Sequence, residues 1–140
     1  MEIKTIQLEQ ERAIVLPLLQ QLHGHLTEEK YEVLRKKMTA QGYQMIGLFI
    51  DQELIAIAGF VLATNFYDEQ HLFLHDLVSN ESQRSKGYGK QLLLYLENLA
   101  VENGCHAIVL CSRLDRTEAH RFYEEKLDYQ KTSYVIKRYL

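Results

Sequence analysis

The stretch LFLHDLVSNESQRSKGYGKQLLLYLENLA, residues 72–100, decides the fold because it passes from a strand pattern to a helix pattern through a glycine-containing turn. The apolar run from Leu72 to Val78 is typical of a buried strand. After the turn, apolar residues recur at three- and four-residue spacing, as on one face of a helix. These residues are Leu92, Leu93, Leu96, Leu99 and Ala100. The stretch therefore predicts a strand, a short turn and a helix.

The turn has the composition of an anion-binding site. It consists of Arg84, Ser85, Lys86, Gly87, Tyr88, Gly89 and Lys90. The first N–H groups of a helix have no partner within it, and the helix dipole places partial positive charge at that end. Glycine has no Cβ, so the main chain at Gly87 and Gly89 can approach an anion closely. The turn is therefore a candidate phosphate site.

Two well-known phosphate loops do not match this turn. The P-loop requires Ser or Thr after Gly-Lys, and here Gln91 follows Gly89-Lys90. The dinucleotide fingerprint requires a third small residue at the position of Leu92. The remaining pattern, Arg-x-x-Gly-x-Gly between a strand and a helix, resembles the coenzyme A pyrophosphate loop of the GNAT superfamily of N-acetyltransferases.

The resemblance extends to further blocks of sequence. They are Asp76-Leu77-Val78, Gly104-Cys105 and Ala119-His120-Arg121-Phe122-Tyr123. Their order and spacing around Arg84-Ser85-Lys86-Gly87-Tyr88-Gly89 are similar to those of a bacterial GNAT branch. The similarity is specific from Asp76 to Tyr134 and looser back to residue 1. Arg116 departs from the family pattern, because many members have Asn at its position.

The pattern along the chain predicts one α/β domain over residues 1–140. Strands are predicted over residues 3–8, 43–50, 54–63, 71–78, 107–111 and 133–139. Helices are predicted over residues 27–40, over the Leu-rich stretch to about Gly104, and over residues 115–126. The helical segment Ile14 to Leu22 contains Pro17, where a kink or break is expected. A strand–helix–strand crossover makes strands 71–78 and 107–111 parallel. The resemblance implies a GNAT-like mixed sheet, with this central pair splayed around the cofactor and helices on both faces.

The resemblance also implies acetyl-CoA as the cosubstrate and assigns residues to it. Backbone groups of Leu77, Val78 and Ser79 are expected to bind pantetheine. The main chain of Arg84 to Lys90 is expected to bind the pyrophosphate. The side chains of three residues are further candidates for direct phosphate contact: Arg84, Lys86 and Lys90. Their alternative is a role as solvated surface charges. Arg116 could reach a phosphate or an acidic group of the substrate.

Acetyl transfer to an amine sets three chemical requirements. The substrate ammonium, with a pKa near ~10, must lose a proton before it attacks. The developing oxyanion needs a donor such as the N–H of Val78, and an acid helps the thiolate to leave. Tyr123 matches the family tyrosine that commonly protonates the sulfur. A core position is its alternative, because Ala119 and Phe122 share its helical face.

Two neighbouring residues are candidates for the base, and the sequence leaves the choice open. Asp76 belongs to the Asp-Leu-Val block on the strand that feeds the cofactor. His75 is favoured because histidine ordinarily titrates near neutrality. Neighbours on a strand point to opposite faces, so at most one faces the cleft unless a bulge intervenes. A structural role for either residue, or a relay through ordered water, is the alternative.

Composition limits the remaining classes of function. The net charge of −3 argues against a general nucleic-acid binder. No apolar stretch approaches the ~20 residues that cross a bilayer, and the first residues do not resemble a signal peptide, so we expect a cytoplasmic protein without a membrane partner. Cys105 and Cys111 are expected to be buried, reduced thiols. The spacing of the six histidines resembles no zinc site, so no metal is expected.

We therefore expect an acetyl-CoA-dependent N-acetyltransferase that transfers the acetyl group directly to a primary amine of a small molecule. The alternatives are a protein or peptide N-acetyltransferase and a non-catalytic acyl-CoA-binding sensor. A homodimer is a further expectation, because dimers are common in the superfamily. Guesses at the residues that line the acceptor pocket are His23, His25, Tyr31, Phe66 and Tyr67.

Overall fold

A computed structural model describes all 140 residues of the chain, which form two compact units, Met1–Val109 and Leu110–Leu140. The elements are β1 (Glu2–Thr5), α1 (Arg12–Leu22), α2 (Glu28–Ala40), β2 (Gln44–Ile50), β3 (Glu53–Asn65), β4 (Glu69–Ser79), α3 (Tyr88–Glu102), β5 (Ala107–Leu110) and α4 (Thr117–Arg121). A 3₁₀ turn, Glu81–Gln83, precedes α3. A π-helical turn, Phe122–Lys126, continues α4. That the chain is a single domain stays a prediction.

The strands form one five-stranded sheet in the order β1-β2-β3-β4-β5. Strands β1 to β4 are antiparallel neighbours, and β5 lies parallel to β4. The two-residue loop between β2 and β3 consists of Asp51 and Gln52, with φ values of 49° and 67°. Positive φ at both positions is the geometry of a type I′ hairpin turn. The predicted mixed sheet is confirmed, while the splay of the parallel pair stays a prediction.

Helices cover both faces of the sheet. On β2, Met45 and Phe49 belong to the core cluster built around α1. The alternate residues Ile46 and Leu48 are buried as well, outside that cluster. Since successive side chains of a strand point to opposite faces, both faces of β2 are covered. Helix α3 packs on β2, β3 and β4 through one buried stripe: Leu92, Leu93, Leu96 and Ala100.

A kink or a break was expected at Pro17; the break is wrong, because α1 continues through this residue, while the kink stays a prediction. Proline removes one backbone bond and crowds the carbonyl four residues earlier. That carbonyl belongs to Ala13, which lies in the first turn of α1, so little of the helix precedes the disturbance. Val15 and Leu18 are buried on either side of Pro17 and hold the two parts of the helix against the core.

Two other expectations about the chain are also wrong. Residues 133–139 form no strand, and they are exposed, so none of their backbone groups is paired in the sheet. The cysteines are free but not buried, since Cys111 is exposed and Cys105 only partly covered. No helix of the chain combines the length and the apolar character needed to span a membrane.

Candidate active site

The turn between β4 and α3 presents unpaired backbone donors. Gly87 is the N-cap of α3 and has a φ of 83°, a left-handed conformation that glycine adopts without steric cost. The first backbone bond of this helix joins the Gln91 N–H to the Gly87 carbonyl at 3.1 Å. The N–H groups of Tyr88, Gly89 and Lys90 therefore have no acceptor within the helix. No side chain caps this end, and no acidic residue lies in the first turn.

The same turn carries three cationic residues. Arg84, Lys86 and Lys90 are all exposed. The Arg84 Nε donates to the Ser79 carbonyl at 3.4 Å, and the Lys86 Nζ donates to the Gln83 Oε1 at 2.9 Å. The structure thus brings the predicted phosphate-binding turn beside the end of β4. The side chain of Val78 is buried in the core, so its expected contact with pantetheine can only be made by its backbone.

A β-bulge lies at the two candidates for the base. On β4, Asp76 is opposite Gly59 and Leu74 is opposite Phe60, which leaves His75 without a partner. A bulge changes the regular alternation of side chains. Both residues consequently lie beside Tyr43. The ring centroids of His75 and Tyr43 are 5.9 Å apart, and the Tyr43 hydroxyl donates a hydrogen bond to Asp76.

Asp76 is the buried centre of a hydrogen-bonded cluster. The Tyr43 hydroxyl donates to its Oδ2 at 2.6 Å, and the His23 Nε2 lies 2.7 Å from its Oδ1. The residue is only 8% exposed. Burial, and next the neighbouring Asp76 carboxylate, raise the pKa of Tyr43 far above its usual value, so this phenol remains a donor at every working pH.

Gly59 provides the space for the Tyr43 hydroxyl. A Cβ on Gly59 would lie 1.6 Å from the Tyr43 Oη and 2.4 Å from its Cζ. Gly59 is also the register partner of Asp76 across β3 and β4. The phenol therefore reaches the carboxylate over a position that has no side chain.

Gly59→Ala is expected to lower the free energy of unfolding by about 1–3 kcal/mol, the usual cost of overpacking a core. The methyl group must displace the Tyr43 ring, which then loses its bond to Asp76. Urea unfolding followed by far-ultraviolet circular dichroism measures the change. Gly24→Ala is the matched control, because a Cβ there meets nothing within 4 Å and the stability should hardly change. Equal stabilities of the two variants would contradict this account of Gly59.

Tyr123 lies in the second unit, at the start of the π-helical turn that continues α4. Its ring packs against Phe122 and Tyr129, with centroids 5.4 Å and 5.6 Å away. Burial raises the pKa of Tyr123, and the positive charge of Arg116 opposes this shift more weakly. The phenol therefore stays protonated at neutral pH. Arg116, the N-cap of α4, is exposed and lies near enough to Tyr123 to affect it electrostatically.

The bonds that Tyr43 and His23 make with Asp76 could not be predicted from the sequence. His23 was expected only as a guess at pocket lining, and Tyr43 only as part of a strand. These residues are 33 and 53 positions from Asp76 along the chain, so no local pattern links them. Gly59 was the one available signal, since a glycine within a strand often marks a bulge or the close approach of another group.

A mixed sheet with a parallel pair, and a basic turn leading into the following helix, is the architecture expected of an acetyltransferase. The family model described as "Acetyltransferase (GNAT) family" matches residues 8–129. The chain belongs to this family and is an N-acetyltransferase by class. The family expected from the sequence blocks is therefore confirmed.

Known proteins similar to this chain agree with that class. The chain is 31% identical over 137 residues to YhdJ, an uncharacterized N-acetyltransferase of Bacillus subtilis (strain 168). The alignment covers 97% of this chain and 96% of YhdJ. The fold of the present chain matches that of the aminoglycoside N-acetyltransferase AAC(6')-Iy in complex with CoA, with a TM-score of 0.85 and 16% identity. This match covers 99% of the present chain and 93% of AAC(6')-Iy. The fold also matches that of glucosamine-6-phosphate N-acetyltransferase from Arabidopsis thaliana, with a TM-score of 0.76 and 18% identity. This match covers 99% of the present chain and 97% of the Arabidopsis enzyme.

Proposed function

We propose that this protein transfers the acetyl group of acetyl-CoA directly to a primary amine of a small molecule. The observation that carries the proposal is the turn from Arg84 to Lys90, which combines unpaired N–H groups at the start of α3 with three exposed cationic residues. When bound, acetyl-CoA supplies the acyl thioester.

The residues of the turn fit a diphosphate group. Three N–H groups at the start of α3 need acceptors, and the helix dipole favours an anion at that end. Gly87 keeps the approach open, because a Cβ at this position would point into space that no other atom occupies within 4 Å. No acidic side chain in the first turn competes for the donors. The turn therefore has the donors, the charge and the space that the pyrophosphate of coenzyme A requires.

The other residues expected from the family resemblance receive roles in this proposal. Backbone groups of Leu77, Val78 and Ser79 bind the pantetheine arm, and the Val78 N–H stabilises negative charge on the carbonyl oxygen. Tyr123 protonates the departing thiolate, which its protonated state at neutral pH supports. The bulged pair His75 and Asp76 belongs to the group of residues that deprotonates the amine.

Two structural neighbours support a small-molecule acceptor. One is an aminoglycoside N-acetyltransferase, and the other is a glucosamine-6-phosphate N-acetyltransferase. Two alternatives make different predictions. A protein or peptide acetyltransferase would acetylate N-terminal peptides but not small amines. A sensor would bind acetyl-CoA without turnover. Direct transfer, a cytoplasmic location and a homodimer are further parts of the proposal.

The test measures thiol release from acetyl-CoA in the presence of simple amines, polyamines, aminoglycosides, amino sugars and N-terminal peptides. We expect turnover with at least one small amine and acetylation of its nitrogen, shown by mass spectrometry. Turnover restricted to peptides would replace the small-molecule acceptor with a protein acceptor. Stoichiometric binding of acetyl-CoA without turnover by any amine would identify a sensor and refute the proposed reaction.

A further inference from the structure

We propose that His23 is the general base of this enzyme and that Asp76, bound by Tyr43, is the residue that positions it. The inference rests on the proposed N-acetyltransferase function and adds to its site a residue that the family's sequence blocks do not include. It is carried by the hydrogen-bonded series His23, Asp76 and Tyr43, all within the first unit.

The arrangement leaves Asp76 itself poorly suited to meet a substrate. Each of its carboxylate oxygens already has a partner, the His23 Nε2 on Oδ1 and the Tyr43 hydroxyl on Oδ2. Its side chain is 10% exposed, whereas that of His23 is 51% exposed. The imidazole is therefore the accessible end of the series and the carboxylate is its covered support.

The hydrogen bonds determine which imidazole nitrogen is available. The Asp76 carboxylate accepts the Nε2–H of His23, so the neutral ring carries its lone pair on Nδ1. Tyr43 stays protonated and can only donate to the other oxygen, which keeps the carboxylate in place. A carboxylate that orients a histidine in this way also stabilises the imidazolium formed during catalysis.

Acetyl transfer to a substrate ammonium releases one proton overall. The substrate ammonium gives one proton to His23 Nδ1, and the electron pair of the broken N–H bond remains on the substrate nitrogen. That nitrogen forms the new bond to the acetyl carbon, and the C–S bond breaks. The nitrogen loses a second proton to solvent as the amide forms, and Tyr123 regains from solvent the proton that it gives to the thiolate. His23 releases its own proton to solvent, so one ammonium and one thioester give one amide, one thiol and one proton.

The position of His23 in the fold suits this role. It is the C-cap of α1, and its backbone N–H donates to the Leu19 carbonyl at 2.7 Å. The negative end of the helix dipole favours a cation there. The titratable groups around the series are His75, whose ring packs against Tyr43, and Tyr31, which interacts electrostatically with Tyr43. Asp76 directly precedes Leu77, Val78 and Ser79, the backbone expected to bind pantetheine, so the base lies beside the thioester end of the cofactor.

His23→Gln tests the role because the amide can still donate a hydrogen bond to Asp76 but cannot accept the substrate proton. We expect kcat/KM at neutral pH to fall by about 10²–10⁴-fold, the usual contribution of a general base. The loss should shrink as pH rises and the free amine accumulates, and the acetyl-CoA dissociation constant should stay unchanged. His106→Ala, an exposed histidine of the same unit, should retain the wild-type profile. A wild-type pH profile for His23→Gln, with turnover intact, refutes the role of His23 and leaves the proposed function standing.

A second measurement does not depend on any acceptor. Nitrogen-15 NMR of the imidazole at a pH where it is neutral should show a protonated Nε2 and an unprotonated Nδ1 for His23. Asp76→Asn should shift this tautomer equilibrium while leaving acetyl-CoA affinity unchanged. A protonated Nδ1 in the wild-type protein, or a tautomer that ignores Asp76→Asn, overturns the assignment of base and positioning residue.

Discussion

Gly87→Glu is expected to weaken acetyl-CoA binding by about 100-fold or more, with a parallel loss of kcat/KM. The new carboxylate would lie at the N-terminus of α3 and take the position of the anion. Each hydrogen bond to a charged group contributes about 1.5–3 kcal/mol, so the loss of two such bonds is enough for this effect. Isothermal titration calorimetry with CoA measures the affinity without requiring an acceptor.

Two features separate this effect from misfolding. A Cβ at Gly87 meets no atom within 4 Å, so the chain has room for a side chain. The strain of a left-handed residue costs about 1–2 kcal/mol in either variant at this position. Gly87→Ala is therefore the matched control, and it should change the CoA dissociation constant by less than about tenfold because it brings strain but no charge. Equal affinities of the Glu and Ala variants would show that the turn does not hold the anion.

Tyr123→Phe is expected to lower kcat by about 100-fold, the lower end of the range for a general acid. The effect is limited because a thiol has an ordinary pKa near ~8.5, so its thiolate can leave partly unaided near neutrality. The ring keeps its contacts with Phe122 and Tyr129, and acetyl-CoA affinity should stay unchanged. Steady-state kinetics over a range of pH, with an acceptor found in the amine screen, measures the loss.

The pH dependence of this loss has a definite sign. Burial raises the pKa of Tyr123, so its phenol donates throughout the neutral range and loses its proton only above the ordinary tyrosine value of ~10. The advantage of the wild-type enzyme should therefore persist at alkaline pH and decline only beyond that value. Tyr134→Phe is the control, because Tyr134 is exposed and belongs to the same unit. A wild-type kcat for Tyr123→Phe at every pH would assign Tyr123 to packing alone.

Local features of the fold could be predicted because their causes lie within a few residues. Thr27 caps α2 by accepting the Lys30 N–H at 3.1 Å, as a threonine before an acidic first turn indicates. The Asp51-Gln52 hairpin and the Gly87 N-cap likewise depend on local turn chemistry and φ. The position of the turn that is expected to bind phosphate was therefore predictable, before the start of α3.

Features that depend on distant partners could not be predicted in the same way. The aromatic and β-branched residues of the segment 133–139 are compatible with a strand, but the structure forms none there. Strand alternation also predicted that at most one of His75 and Asp76 would face the cleft unless a bulge intervened, and the sequence did not show whether one does. The register shift opposite Gly59 and Phe60 brings both to Tyr43 instead.

The sequence by itself determined the family, the turn that is expected to hold coenzyme A, and the tyrosine proposed as the acid, because each depends on residues that are close together along the chain. Only the tertiary structure decided what surrounds Asp76. Its partners His23 and Tyr43 come from the end of α1 and the start of β2, and Gly59 on β3 makes the space between them. A buried carboxylate requires partners, but the folded chain alone selects which distant side chains satisfy it.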